Sequence, residues 1–178
     1  MDWATLVSIF GALGIGSVIT QHFAGSRDRR QVRGDVLERL SEVEEARWVP
    51  SETAPTVDDF LRLLHKFETA ALIARLPREA VRQYVSFAFA ARSHSSEGVE
   101  ADKMRGTYDP ETSGGLSSNF ADVVRDEANE IARLVWNPFR ARFKLSARLK
   151  RRRVAANEHI PAQSLKHAEF AFGPLERP

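Results

Sequence analysis

Residues 3–20 read WATLVSIFGALGIGSVIT, and the fold turns on what surrounds these side chains. From Trp3 to Ser26 none carries a formal charge if His22 is neutral. A helix rises about 1.5 Å per residue, so an uncharged stretch of ~18 or more can cross a hydrocarbon layer about 30 Å thick with its backbone polar groups satisfied internally. The stretch therefore predicts a transmembrane helix over residues 1–26. A buried helix of a soluble core usually carries at least one charge in this length. A cleaved leader would want positive charge before its apolar run, whereas Asp2 precedes this run and the arginines follow it.

Those arginines set an orientation. Arg27, Arg29, Arg30 and Arg33 come directly after the span, so their excess places the C-terminal side in the cytoplasm and the N-terminus outside, in a cell (inner) membrane. Within the span, Ala4, Ser8, Ala12, Gly16 and Thr20 recur every four residues. A stripe of small side chains lets two helices approach closely in lipid, which predicts a homo-oligomer; small residues are also common in membrane helices generally. The glycines of residues 11–16 neither follow a strand nor have the spacing of a nucleotide loop.

Beyond the span, roughly 155 residues suffice for one modest domain with its own core. With no cysteine, disulfides and thiolate metal sites are excluded. The net charge of +2 hides a segregation: residues 34–130 hold eleven basic against nineteen acidic side chains, and residues 131–178 eleven against three. Such a split predicts that the basic end either folds onto the acidic middle or meets an external polyanion.

Taken in order, residues 27–48 predict a charged juxtamembrane helix with a narrow seam of Val32, Val36, Leu40 and Val43, packed on its own domain or continued as a short coiled coil. Pro50 and Pro55 mark a turn. Residues 49–136 predict the helical core. Its first helix is capped by Thr56 with Asp59 and presents Val57, Phe60, Leu64, Phe67, Ala71 and Ala74 at spacings of three and four, which makes it the expected centre. Pro77 restarts the chain into a second helix, Val81 to about Arg92, forming a hairpin. Residues 93–117 are polar and glycine-rich, and predict a long loop, mobile or ligand-binding. A helix with Phe120, Val124, Ala128, Ile131 and Val135 on one face follows, until Asn137-Pro138 breaks it.

Residues 137–153 carry Arg140, Arg142, Lys144, Arg148, Lys150, Arg151, Arg152 and Arg153 with no acid. Phe139, Ala141, Phe143, Leu145, Ala147 and Leu149 alternate as in a strand, but the helix-forming composition and lack of a partner strand favour a basic helix. The eight cations are the candidate polyanion-binding residues. Their partner is the protein's own acidic middle, an anionic leaflet where each cation contributes about 1 kcal/mol, or nucleic acid. Phe139, Phe143, Leu145 and Leu149 would insert at a lipid interface. Residues 154–178, with three prolines, predict an extended tail pegged by Phe170 and Phe172.

No catalytic residue, cofactor-binding residue or metal ligand set stands out, which argues against an enzyme. His65 and Glu68 are three apart but lack further donors, and Ser93-His94-Ser95-Ser96 offers adjacency without a third orienting group. Trp48 and Trp136, each near an expected helix end, predict core or domain-edge anchors. Residues 58–94, DDFLRLLHKFETAALIARLPREAVRQYVSFAFAARSH, behind a short span and an arginine-rich exit, resemble small bacterial single-span membrane-anchored helical proteins of unknown function. The resemblance implies a cytoplasmic helical domain behind one span. The expected architecture is all-α: one transmembrane helix, then a cytoplasmic domain of about four to five helices with a long polar loop. The expected function is a membrane-bound binding or scaffolding module whose basic segment contacts anionic lipid or a protein partner; the alternatives are a membrane-tethered nonspecific nucleic-acid-binding protein and, third, an enzyme.

Overall fold

The computed structural model describes residues 15–48 and 54–175, with side chains over 30–47 and 54–175. Among the described residues the fold is all-α: α1 (Ile15–Trp48), α2 (Val57–Ile73), α3 (Arg78–Arg105), α4 (Ser118–Trp136), α5 (Pro138–Arg142), α6 (Leu145–His159) and α7 (Ala162–Phe172). None of these helices is long and apolar enough to cross a membrane. The expected span falls mostly on residues outside those described, as do Ala4, Ser8 and Ala12 of the small-residue stripe. Its last twelve residues, Gly16 and Thr20 among them, belong to α1, which runs on to Trp48 without interruption.

α3, rather than α2, is the centre of the bundle. From Ala80 to Ser93 every side chain but Arg82 is buried, and α2, α4 and α7 surround it while α1 packs against α2 and α4. The apolar seam of α1 is used inside the domain: Val36, Leu40 and Val43 are buried in the common core. A polar stitch fixes its register, because the buried Tyr84 hydroxyl donates to Glu44 at 2.9 Å and the buried Arg47 guanidinium pairs with the same carboxylate. Phe67 meets the Tyr84 ring edge-on at 5.1 Å. At the start of α2, Thr56 Oγ1 accepts from the Asp59 amide at 3.1 Å, the cap that the sequence predicts.

Three boundaries differ from the sequence expectations. α3 runs thirteen residues past Arg92 to Arg105, so the polar loop is confined to residues 106–117. The loop folds back on that extension: a Cβ on Gly114, which has φ +75°, would lie 2.6 Å from both the Ser95 carbonyl and Val99 Cγ2. Close backbone approach holds the polar end of α3 where few large apolar side chains are available. The helix stops at Gly106 (φ 70°), with the Thr107 amide donating to the Asp102 carbonyl at 3.0 Å.

The basic segment is two helices instead of one. Lys144 sits in the left-handed region at φ 55°, ending the short α5 and starting α6. The expected tail is also mostly helical: α6 continues to His159, and α7 buries Ser164, Ala168 and Phe172 at four-residue spacing. Pro161 occupies the N-cap of α7 and Pro174 follows its end, so these prolines punctuate helices rather than forbid them. Of the two expected pegs, Phe172 is buried against Phe89 and Phe170 is exposed.

Candidate functional site

The eight cations of residues 140–153 divide by what α4 offers them. Glu127 and Glu130 stand one turn apart on the inner side of α4, each 1% exposed. Buried carboxylates need charged or hydrogen-bonding partners to offset lost hydration, and α3 and α6 supply them. Glu130 accepts from Arg148 at 2.6 Å and pairs with Arg152 at 3.2 Å. Glu127 accepts from Gln83 Nε2 at 3.0 Å, with Arg152 at 3.8 Å. Gln83 continues the network, donating to the Leu149 carbonyl at 3.3 Å and accepting from Arg153 at 3.4 Å. Burial raises the Glu127 carboxyl to about 7, against the opposing pull of Arg152 and the Gln83 amide, while Glu130 and Asp126 add to the rise.

Arg148 has a second task. It also donates to the carbonyls of Ala141 and Phe143, groups that the end of α5 leaves without intrahelical donors. The guanidinium thereby ties the α5–α6 corner to Glu130. Leu145 and Leu149, expected at a lipid interface, are core residues. They face inward because the break at Lys144 resets the helical phase, bringing Leu145, Leu149 and Ala156 onto one side of α6.

Arg140, Arg142, Lys144, Lys150 and Arg151 remain exposed, in two places. Lys150 lies on a groove between α3, α6 and α7 that also includes Ser86, Glu169 and Leu175. Arg140, Arg142 and Lys144 belong to α5 and its exit, at the end of the bundle where α1 arrives. There Arg142 donates to the Arg75 carbonyl at 2.8 Å, and Arg33, Arg75, Pro77, Leu134, Pro138 and Arg142 line one small cleft. Large apolar side chains next to these residues in the chain stand exposed: Ile73 at 66%, Trp136 at 68%, Phe139 at 92% and Phe143 at 70%. Lys144 Nζ lies 5.4 Å from the Phe143 ring.

Trp136 is thus no core anchor. The Asn137-Pro138 break ends α4 at this residue and turns the chain away before the indole can be covered. Arg75 gave no signal in the sequence, since it lies more than sixty residues from Arg142 and meets it through the α2–α3 turn. That turn depends on Arg75 itself, in the left-handed region at φ 59°.

The weaker candidates stay apart. His65 Nδ1 approaches Glu68 at 3.6 Å on an exposed part of α2, and the Ser93–Ser96 stretch lies on α3 with the His94 ring 5.9 Å from Phe120. Among the described residues no group of three or more His, Asp or Glu side chains is placed to hold a metal ion. Comparison with protein-family models, curated proteins and solved structures yields no match.

Proposed function

We propose that this chain is a single-pass membrane protein, N-terminus outside the inner cell membrane, whose helical domain is a binding or scaffolding module on the cytoplasmic side. One observation supports the reading above the others. α1 is a single helix in which the last twelve residues of the uncharged stretch and the seam buried in the domain core lie on one axis. A domain joined in this way follows its anchor without a linker. Association of spans through Ala4, Ser8, Ala12, Gly16 and Thr20 would bring two such domains together.

The alternative, nonspecific nucleic-acid binding, strengthens with the number of cations free to meet phosphates. Arg148 and Arg152 are engaged by buried glutamates and Arg153 reaches Gln83, which divides the run. Flotation of the intact chain on vesicles after an alkaline carbonate wash tests the anchor. Retention in the floated fraction is the expected result; release as a lipid-free polypeptide would overturn the reading. A reporter active only in the cytoplasm, fused after Pro178, should be active.

A further inference from the structure

Val32, Asp35 and Arg39 of α1 share a groove with Lys66, Ala70 and Ile73 of α2, and Arg33 lines a cleft with Ala74, Arg75 and Leu76 just beyond the end of α2, which sets this turn of α1 near the end of α2. Upstream of Val32, α1 continues for seventeen residues to Ile15, about 26 Å at the helical rise. The same end of the domain carries exposed Ile73, Trp136, Phe139 and Phe143, chain neighbours of the cleft residues Ala74, Arg75, Val135, Pro138 and Arg142, with Arg140 between them in the short α5. It thus combines exposed aromatic side chains, arginines, and the direction from which the uncharged stretch arrives.

We propose that this end of the bundle is a docking surface for the anionic headgroup layer of the membrane that holds the span. The inference rests on the anchored reading above and adds the face and the lipid class. Seven residues separate Ser26 from Arg33, about 10 Å of helix. The headgroup layer on one side of a bilayer is roughly 5–8 Å deep. Aromatic side chains at the end of the domain therefore come within about one side-chain length of the lipid interface, where the Trp136 indole, apolar with one polar edge, is favoured and the purely apolar Phe139 and Phe143 rings can insert. The accompanying arginines supply the complementary charge, within the roughly 8 Å over which salt leaves it unscreened.

The chain has no cysteine, so one introduced thiol carries one probe. Asn137 is exposed between Trp136 and Phe139, and its side chain caps neither neighbouring helix. Met104 is 87% exposed near the far end of α3, about 39 Å along that helix from Arg78. The full chain carrying Asn137→Cys or Met104→Cys, labelled with an environment-sensitive fluorophore, is reconstituted into vesicles of phosphatidylcholine alone or enriched in phosphatidylglycerol, with brominated lipid as quencher. The expected result is blue-shifted emission and at least twofold stronger quenching at position 137 than at 104 in the anionic vesicles. Arg75→Gln with Arg140→Gln should return position 137 to its level in neutral vesicles. Equal quenching at 137 and 104 in protein that still floats overturns the docking surface and leaves the anchor standing. Failure to float overturns both. A blue shift at 137 that appears without lipid and grows with protein concentration assigns the face to a second copy of the chain, and overturns the proposal equally.

Discussion

Arg148 lies between the Ala141 and Phe143 carbonyls at the end of α5 and the Glu130 carboxylate, whereas the exposed Arg151, three residues on, donates to the carbonyl of Ala147 in its own helix. Arg148→Ala leaves a buried carboxylate with fewer partners, a change that costs about 3 kcal/mol. At roughly 2–4 °C per kcal/mol for a domain of this size, the melting temperature should fall by about 6–12 °C. Arg151→Ala should stay within about 0.5 kcal/mol of the parent. Thermal unfolding of the two variants side by side checks the division of the basic segment; equal effects would contradict it. Glu127 gives a pH signature. Its folded-state value is raised to about 7 from the ordinary 4.5, so its protonation stabilises the fold fully below about 4.5, and that contribution is lost as pH rises through 7. The shift is worth up to about 3 kcal/mol. Glu127→Gln stays neutral throughout and should gain on the parent between about pH 5 and pH 8 in paired denaturant titrations. A difference independent of pH would mean that Glu127 ionises normally.

At the scale of elements, α2 was legible because its cap and its apolar period agree. α3 was legible only as far as its large apolar residues lasted. Its extension from Ser93 to Arg105 contains Glu, Ala, Lys and Met, all good helix formers, but its cover is a glycine contact that no periodicity announces. Gly114→Ala tests that contact. The added methyl would meet the Ser95 carbonyl and Val99 at a conformation alanine resists, and should destabilise by roughly 1–3 kcal/mol. Hydrogen exchange should quicken first at the amides of residues 96–105; unchanged protection there would show that the loop does not hold the helix. The alternation over residues 139–149 was a misleading period, since Lys144 adopts a left-handed conformation that lysine does not signal. Split at that residue, Leu145, Leu149 and Ala156 recover a helical spacing.

The whole molecule resolves the charge segregation by folding. The basic C-terminal third closes on the acidic middle through Arg148 and Arg152, while other cations stay outside at the α1 end. Composition could pose that choice but could not sort individual arginines, because the sorting depends on Glu127 and Glu130 facing inward on α4. Nor could it join Arg75 to Arg142 across sixty-odd residues. What ties the domain to a membrane is the passage of α1 from an uncharged stretch into a buried seam. Single cysteines walked through positions 15–36 of the intact chain in native membranes, reacted with a membrane-impermeant maleimide, read that passage directly. The expected result is protection from position 15 to about 24, labelling beyond about 30, and renewed protection at the buried Val36 position. Labelling of positions 15–20 as readily as position 30 would contradict the anchored reading.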